Sequence, residues 1–210
     1  MLHYETIDKG TLGLLKQLQG INFFSELRLV GGTSLALQLG HRRSIDIDLF
    51  GTFDADEFEV YEKFNELGSV IVIKKSKNIF INIINEIKVD VVRYPYPWIN
   101  KPVFTDKLLL ASKEDIAAMK LAAITGRGSK KDFVDIYFLL QEFSLQQLFD
   151  FYDMKFHDGN RFLVLKSLTY FEDAERDQMP KMLIDVDWKT VKTFIKTLVN
   201  NFQPMKTNNE

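Results

Sequence analysis

Asp46 and Asp48 stand at alternate positions in Ser44-Ile45-Asp46-Ile47-Asp48-Leu49-Phe50, with Ile45, Ile47 and Leu49 between and after them. In a strand, residues i and i+2 point to one side, about 6.5–7 Å apart at Cα. Two carboxylates so placed offer the hard oxygen ligands that magnesium prefers. Upstream, Leu29-Val30-Gly31-Gly32-Thr33-Ser34-Leu35 carries an apolar run into two glycines and two hydroxyls. Glycine lets backbone N–H groups come close to a phosphate, and a helix starting there adds its positive end. A strand, glycine turn, helix and neighbouring strand would bring both features to one end of a sheet. A phosphate cradle beside a metal platform points to nucleotide chemistry. The plain alternative is that the aspartates occupy the wet face of an edge strand.

Asp90 is the third candidate carboxylate, inside the apolar run Ile87-Lys88-Val89-Asp90-Val91-Val92. A buried carboxylate is costly without a partner. Lys88 or Arg93 would satisfy it, and so would a metal shared with Asp46 and Asp48. Three carboxylates on one sheet face suit two magnesium ions, which align an attacking hydroxyl and neutralise a triphosphate in an in-line displacement. Farther on, Lys120 lies within Ile116-Ala117-Ala118-Met119-Lys120-Leu121-Ala122-Ala123-Ile124, a helix apolar all round and so expected to be buried. Its ammonium either reaches water along its stem or serves a polar cleft. In Arg127-Gly128-Ser129-Lys130-Lys131-Asp132-Phe133-Val134-Asp135, Asp132 and Asp135 share a helix side at i and i+3. Ser129 and Asp132 also have capping-box spacing.

The elements that must hold these groups are legible from periodicity. Helices are expected over Thr11–Gln19, Thr33–Leu39 (closed by Gly40) and Asp54–Leu67, and strands over Arg28–Val30 and Ser44–Phe50. Val70–Lys74, Ile79–Ile84 and Ile87–Arg93 read as an antiparallel meander added to those strands. Pro95, Pro97 and Pro102 mark a connection. Helices follow over Lys113–Thr125, Lys130–Phe143, Leu145–Lys155, Arg161–Phe171 and Trp188–Phe202, and the polar Lys206–Glu210 is expected to fray. The expected fold class is α+β, a mixed or antiparallel sheet with flanking helices followed by a helical bundle. Residues 1–110 would form the first domain and residues 111–210 the second, completing the active-site cleft.

Composition narrows the class. With 46% hydrophobic and 27% charged residues the chain has an ordinary globular balance. It shows no membrane-length apolar run and no signal peptide, so the expected location is cytoplasmic. The absence of cysteine excludes disulfides and thiolate chemistry, and three scattered histidines do not make a zinc site. A formal charge of −2 excludes a generally basic nucleic-acid binder and leaves only local patches. Among these are Arg42 and Arg43 before the aspartates, Lys74, Lys75 and Lys77 at a hairpin, and Arg127, Lys130 and Lys131. Tyr94, Tyr96 and Trp98 would either stack on a base or pack between the two halves.

Val30-Gly31-Gly32, a helix, then Asp46-Ile47-Asp48-Leu49 resembles the signature of the polymerase-β-like nucleotidyltransferases. The longer strings Gly-Gly-Thr-Ser-Leu-Ala-Leu and His-Arg-Arg-Ser-Ile-Asp-Ile-Asp-Leu-Phe resemble the AbiEii/AbiGii toxin branch. The likeness runs from about Leu29 to Leu140. It implies nucleotide binding by Gly31, Gly32, Thr33 and Ser34 and magnesium binding by Asp46 and Asp48, to which Asp90, from its own place in the apolar run, is the candidate third carboxylate. It also favours a triphosphate or pyrophosphate role for Lys120. An Arg-x-x-Lys-Asp-x-x-Asp-like run in that branch implies an acidic residue at the active site. Asp132 is the preferred catalytic group, with Asp135 supporting it and Arg43 and Arg127 as phosphate contacts.

The implied reaction moves a nucleoside monophosphate from an NTP to a hydroxyl. The acceptor would be a tRNA 3′ end or a protein, and the chain a toxin countered by a separately encoded antitoxin. Two rival readings are a small-molecule nucleotidyltransferase of the aminoglycoside-modifying kind and a non-catalytic nucleotide-binding protein.

Overall fold

The computed structural model describes residues 1–202; the polar stretch 206–210, expected to fray, lies outside the described residues. By its contacts the chain divides into two units, Met1–Ile116 and Ala117–Glu210, and each is taken by itself.

The first unit is built on a seven-stranded mixed sheet. Its strands in chain order are β1 (Arg28–Leu29), β2 (Ile47–Gly51), β3 (Val70–Ser76), β4 (Ile79–Ile84), β5 (Ile87–Arg93), β6 (Val103–Thr105) and β7 (Leu108–Leu110), and the spatial order is β3-β4-β5-β2-β1-β7-β6. The meander β3-β4-β5 is antiparallel, as its three β-rich runs predict. It joins the rest through the parallel pair β5–β2. β1 runs antiparallel to β2 and parallel to β7.

Alternation decides which face is dry. Ile47 and Leu49 of β2, Phe80 and Ile84 of β4, Val89 and Val91 of β5 and Leu108 and Leu110 of β7 are buried on one face. Leu14, Leu15 and Leu18 of α1 (Lys9–Gln19) and Val60 and Phe64 of α3 (Glu57–Leu67) belong to the same core. Asp8 caps α1 by accepting from Thr11 N–H, and Asp56 with Glu59 forms a reciprocal capping box on α3. Between these two helices lies α2 (Gly31–Leu39), which ends where Gly40 adopts φ 70°.

Two sequence expectations give way here. The strand expected from Ser44 begins only at Ile47, and Ile45 is 63% exposed rather than facing the core. The reason is that the preceding backbone is engaged elsewhere: Ser44 N–H donates to Thr6 C=O and the Asp46 carbonyl accepts from the Thr33 hydroxyl. The proline-marked connection also holds a hairpin, β6–β7, whose turn residues Asp106 and Lys107 have φ of 52° and 64°. That turn lacks the Asn-Gly or Asp-Gly signal that announces such a hairpin.

In the second unit α4 (Lys113–Gly126), through which the division runs, leads into α5 (Lys130–Glu142) and α6 (Leu145–Lys155). The helix expected over Arg161–Phe171 is shorter, α7 (Arg161–Ser167), followed by a separate turn, α8 (Glu172–Glu175). Thr169 draws the break by donating its hydroxyl back to the Lys166 carbonyl. The last helix is α9 (Trp188–Asn201). Phe133 of α5, Phe171 and Trp188 form an aromatic triangle, with ring centres 4.7, 5.6 and 6.0 Å apart. Lys130 is held by Asp177 and lies over Trp188, so it is a bundle residue and not an open phosphate contact.

Candidate active site

The carboxylates of the first unit lie on the sheet face opposite α1 and α3. Asp48 of β2 and Asp90 of β5 are register partners across parallel strands. The row continues to Ile81 of β4 and Lys74 of β3. In-register neighbours point the same way, so Asp48, Asp90 and Lys74 share one face. Asp46 lies just before β2, outside the ladder, and the Thr33 hydroxyl holds its carbonyl.

Gly31 meets this row. Val30 N–H donates to the Asp48 carbonyl at 2.8 Å, which sets the start of α2 beside Asp48. Gly31 has φ 67°, and a Cβ there would come within 2.5 Å of Asp48 Oδ2. Only glycine permits that approach. Val30, the N-cap of α2, has no capping side chain, and the positive end of the helix lies at this turn.

The two hydroxyls of the turn are used otherwise. Thr33, 1% exposed, donates to the Asp46 carbonyl and accepts from Ser44 Oγ. Ser34, fully buried, accepts from Gln38 Nε2. Both hydroxyls brace the turn, and the backbone amides are what it can offer a phosphate.

Asp90 accepts from Lys88 Nζ at 2.7 Å through Oδ2, while its buried Oδ1 has no hydrogen-bond partner among the described residues. Among the described residues no group of three or more His, Cys, Asp or Glu is gathered tightly enough to hold a metal ion as it stands. The residues nevertheless fit magnesium. Two hard carboxylates stand in register on one sheet face, one carries an orphaned oxygen, and the lack of a side chain on Gly31 lets the backbone turn come up against the other. Arg43 is exposed in the loop before β2, whereas Arg42 is buried and donates to the Arg43 carbonyl at 3.0 Å.

In the second unit Lys120 of α4 does not reach out to water. Its side chain is 8% exposed, and its Nζ lies 2.7 Å from Asp132 Oδ1 and 2.6 Å from Asp135 Oδ2. Burial pushes the Asp132 carboxyl up, but the charge and hydrogen bond of Lys120 and the bond from Ser129 outweigh it, so the group sits below its ordinary value. Asp132 therefore binds a cation instead of capping α5, as the Ser129 spacing suggested; Ser129 donates to its other oxygen. Arg127 Nε, on a side chain 73% exposed, stands 4.0 Å from Asp132 Oδ2. The fold brings Lys120, Asp132 and Asp135 together as an ion triad, with Arg127 at its rim.

Two features escaped the sequence reading. Asp115, fully buried, accepts from Ile99 N–H at 2.9 Å, Asn100 N–H at 3.3 Å and Ser112 Oγ at 2.7 Å, pinning the loop after β5. Arg28 completes this latch, 3.9 Å from Asp115 and stacked 4.2 Å from the Trp98 ring centre. Ser112-x-x-Asp115 has capping-box spacing and was the available signal. The second feature is a cavity of about 590 Å³ lined by Phe50, Ile79, Val92, Tyr94, Tyr96 and the Asn78 turn.

A mixed sheet with a glycine turn and opposed carboxylates on its open face defines the nucleotidyltransferase fold class, and known structures agree. MenT4, a nucleotidyltransferase toxin of Mycobacterium tuberculosis H37Rv, superposes with a TM-score of 0.60 at 16% identity, covering 93% of this chain and 84% of that one. JHP933 from Helicobacter pylori gives 0.53 at 14% identity, covering 92% and 94%. These likenesses speak for the fold alone. A protein of Aquifex aeolicus strain VF5, described as uncharacterized protein aq_aa25, is 33% identical over 195 residues, 90% of this chain and 93% of its own length. Residues 13–203 match the family described as Nucleotidyl transferase AbiEii toxin, Type IV TA system. The chain belongs to that family of nucleotidyltransferases.

Proposed function

We propose that this protein transfers a nucleoside monophosphate from an NTP to a hydroxyl acceptor, with magnesium, as the toxin of a toxin–antitoxin pair. The observation that carries the chemistry is the meeting of Gly31, Asp48 and Asp90. A backbone turn approaches one carboxylate to the limit that glycine allows, and the register partner of that carboxylate keeps an oxygen without a partner.

Asp48 and Asp90, with Asp46, would hold magnesium, which when bound supplies charge neutralisation on the phosphates and alignment of the reacting oxygens. The amides of Gly31 to Ser34 receive the triphosphate at the start of α2. The attacking hydroxyl gives its proton to a carboxylate base of the site, the hydroxyl oxygen bonds to the α-phosphorus, the bond to the bridging oxygen breaks, and pyrophosphate leaves. Lys120, once released from Asp132 and Asp135, serves the leaving pyrophosphate as a cation or proton donor, with Arg127 and Arg43 as further phosphate contacts. Asp132 is the preferred acid–base partner in the second unit and Asp135 its support.

The acceptor is a polynucleotide 3′ end, such as that of tRNA, or a protein hydroxyl. Among the described residues no helix is long and apolar enough to cross a membrane, which supports a cytoplasmic location for a protein paired with a separately encoded antitoxin. Incubation with each labelled NTP, magnesium and total RNA or protein tests the reading. Acid-insoluble label that disappears in Asp48→Asn supports it; label that persists in that variant overturns the carboxylate assignment.

A further inference from the structure

The seven-stranded sheet ends on one side at β3 and on the other at β6. The two edges are built differently. β6 has three residues, and a strand that short offers little to pair with. β3 has seven, and among the described residues no strand lies along its outer side. Every residue of β3 after Val70 is exposed, including Ile71 at 59%, Val72 at 48% and Ile73 at 54%. Three consecutive apolar residues on an open edge are a template for another strand, and native chains keep such an edge covered.

The protection that β3 does carry is confined to its second half. Its register with β4 shifts between Val72 and Lys74, which bends the strand there, and Lys74 and Lys75 follow. The first half, Val70 to Val72, pairs with Ile84 to Asn82 in regular steps and stays open on its other side.

The surface beside the open half continues onto α3. Val72 is the register partner of the buried Asn82, whose side chain accepts from the Tyr61 hydroxyl at 3.1 Å. Tyr61 shares a helix stripe with Phe58, Glu62 and Asn65, at spacings i, i+3, i+4 and i+7. This stripe bounds a shallow cavity of about 520 Å³, and Phe58 is 76% exposed.

The edge also has an acidic end and a basic end. From Asp54 to Leu67 the chain carries six carboxylates and one lysine, and the last turn of α3, next to the start of β3, holds no basic residue. The negative end of the helix adds to that charge. At the finish of β3 stand Lys74, Lys75 and Lys77. Two copies of β3 set parallel would oppose lysine to lysine, which is destabilising. Set antiparallel, the lysines of each copy meet the acidic end of the other. Centring that pair on Val72 opposes Val72 to Val72 and Ile71 to Ile73, so each of the three exposed apolar residues faces another of the three. Moving the centre to Ile73 would instead set Ile71 against Lys75 and Val72 against Lys74.

We propose that two copies of this chain associate through this edge, β3 against β3 in antiparallel order about a two-fold axis at Val72, with the α3 stripes flanking the ladder. Such an interface is isologous and closes on itself. The strand ladder alone falls short of the roughly 1,200 Å² that a stable interface buries, so the α3 stripe of each copy is part of it. The two sheets then run on as one and leave no free β3 edge. The association does not depend on the transfer chemistry.

The test uses the full chain, which contains no cysteine. Sedimentation equilibrium should show the mass rising from that of one chain to that of two across micromolar concentrations. Directly opposed residues of antiparallel strands have Cα atoms about 4.5–5.5 Å apart, within the span of a disulfide. Val72→Cys should therefore give a disulfide-linked dimer under mild oxidation. Chains carrying Ile71→Cys and Ile73→Cys should crosslink to each other when mixed, on the order of tenfold faster than either does alone. Met154→Cys, exposed to a similar degree on α6, should not crosslink. Val72→Lys sets two ammonium groups against each other at the axis and should weaken association on the order of tenfold. A chain that stays single at every concentration overturns the proposal and leaves the edge to a strand of another protein. So does a dimer in which Val72→Cys crosslinks no faster than Met154→Cys, or one that Val72→Lys leaves unchanged. Sedimentation of the unaltered chain decides the matter if a variant fails to fold.

Discussion

Gly31 and Asp48 approach so closely that a methyl group on the glycine would lie 2.5 Å from the carboxylate oxygen. A backbone turn and a metal-type ligand are thereby fixed against each other by the absence of a side chain.

Gly31→Ala tests that relationship. The φ of 67° costs an L-residue about 1–2 kcal/mol, and the clash moves either the turn or Asp48. Urea unfolding should show a loss of that order, and calorimetric titration with magnesium and NTP should show binding reduced at least tenfold. Wild-type affinity in a folded Gly31→Ala protein would remove the turn from the site.

Lys120→Met leaves Asp132 and Asp135 buried around a missing cation. Removing one partner of a buried ion pair costs about 3–5 kcal/mol. The urea midpoint should fall accordingly, and a Lys120→Met, Asp132→Asn, Asp135→Asn triple variant should recover part of the loss. Equal stability of the single and triple variants would show that the triad is not what Lys120 satisfies.

Asp132 sets a pH dependence whose sign follows from its depressed pKa. A carboxyl held below its ordinary value of 3.8 contributes stability that is fully present above that value and is lost as pH falls through the folded value. The melting temperature of the unaltered chain should therefore drop more steeply on acidification through this range than that of Asp132→Asn. Parallel curves would contradict the assignment.

Asp115→Ala deprives Ile99 N–H, Asn100 N–H and Ser112 Oγ of their acceptor and Arg28 of its carboxylate. A loss of about 2–4 kcal/mol is expected from these unmade bonds. In a Trp188→Phe background the emission of Trp98 should shift to the red as the loop after β5 loosens. An unchanged spectrum would mean the loop is held by its aromatic packing alone.

Where the sequence was readable, one periodicity controlled the outcome. Ile79–Ile84 and Ile87–Arg93 are β-rich runs, and their strands have those bounds, with alternate residues buried along them. Asp90 stood out because it broke an apolar run, and its register with Asp48 confirms that the two share a face. Ser44 to Asp46 alternate just as well, yet long-range partners, Thr6 and Thr33, hold that backbone out of the sheet. Lys120 could be placed in a buried helix but not paired, since pairing depends on how α5 packs against α4. The cavity beside Phe50 was invisible for a related reason. Phe50, Asn78, Val92 and Tyr96 lie far apart in the chain, and only the order of strands assembles them.

The parallel pairing of Leu29 with Leu110 has a consequence for synthesis. β1 carries the chain into the glycine turn, but one of its two edges stays open until the β6–β7 hairpin has left the ribosome. The intervening segment contains β2 through β6, so the strand that launches the turn is among the first made and the last to be enclosed. Non-local closure of this kind is slow compared with hairpin formation. A nascent chain stopped before residue 103 would have its carboxylate strands and yet an unfinished sheet edge, a natural point for a chaperone or another strand to intercept it.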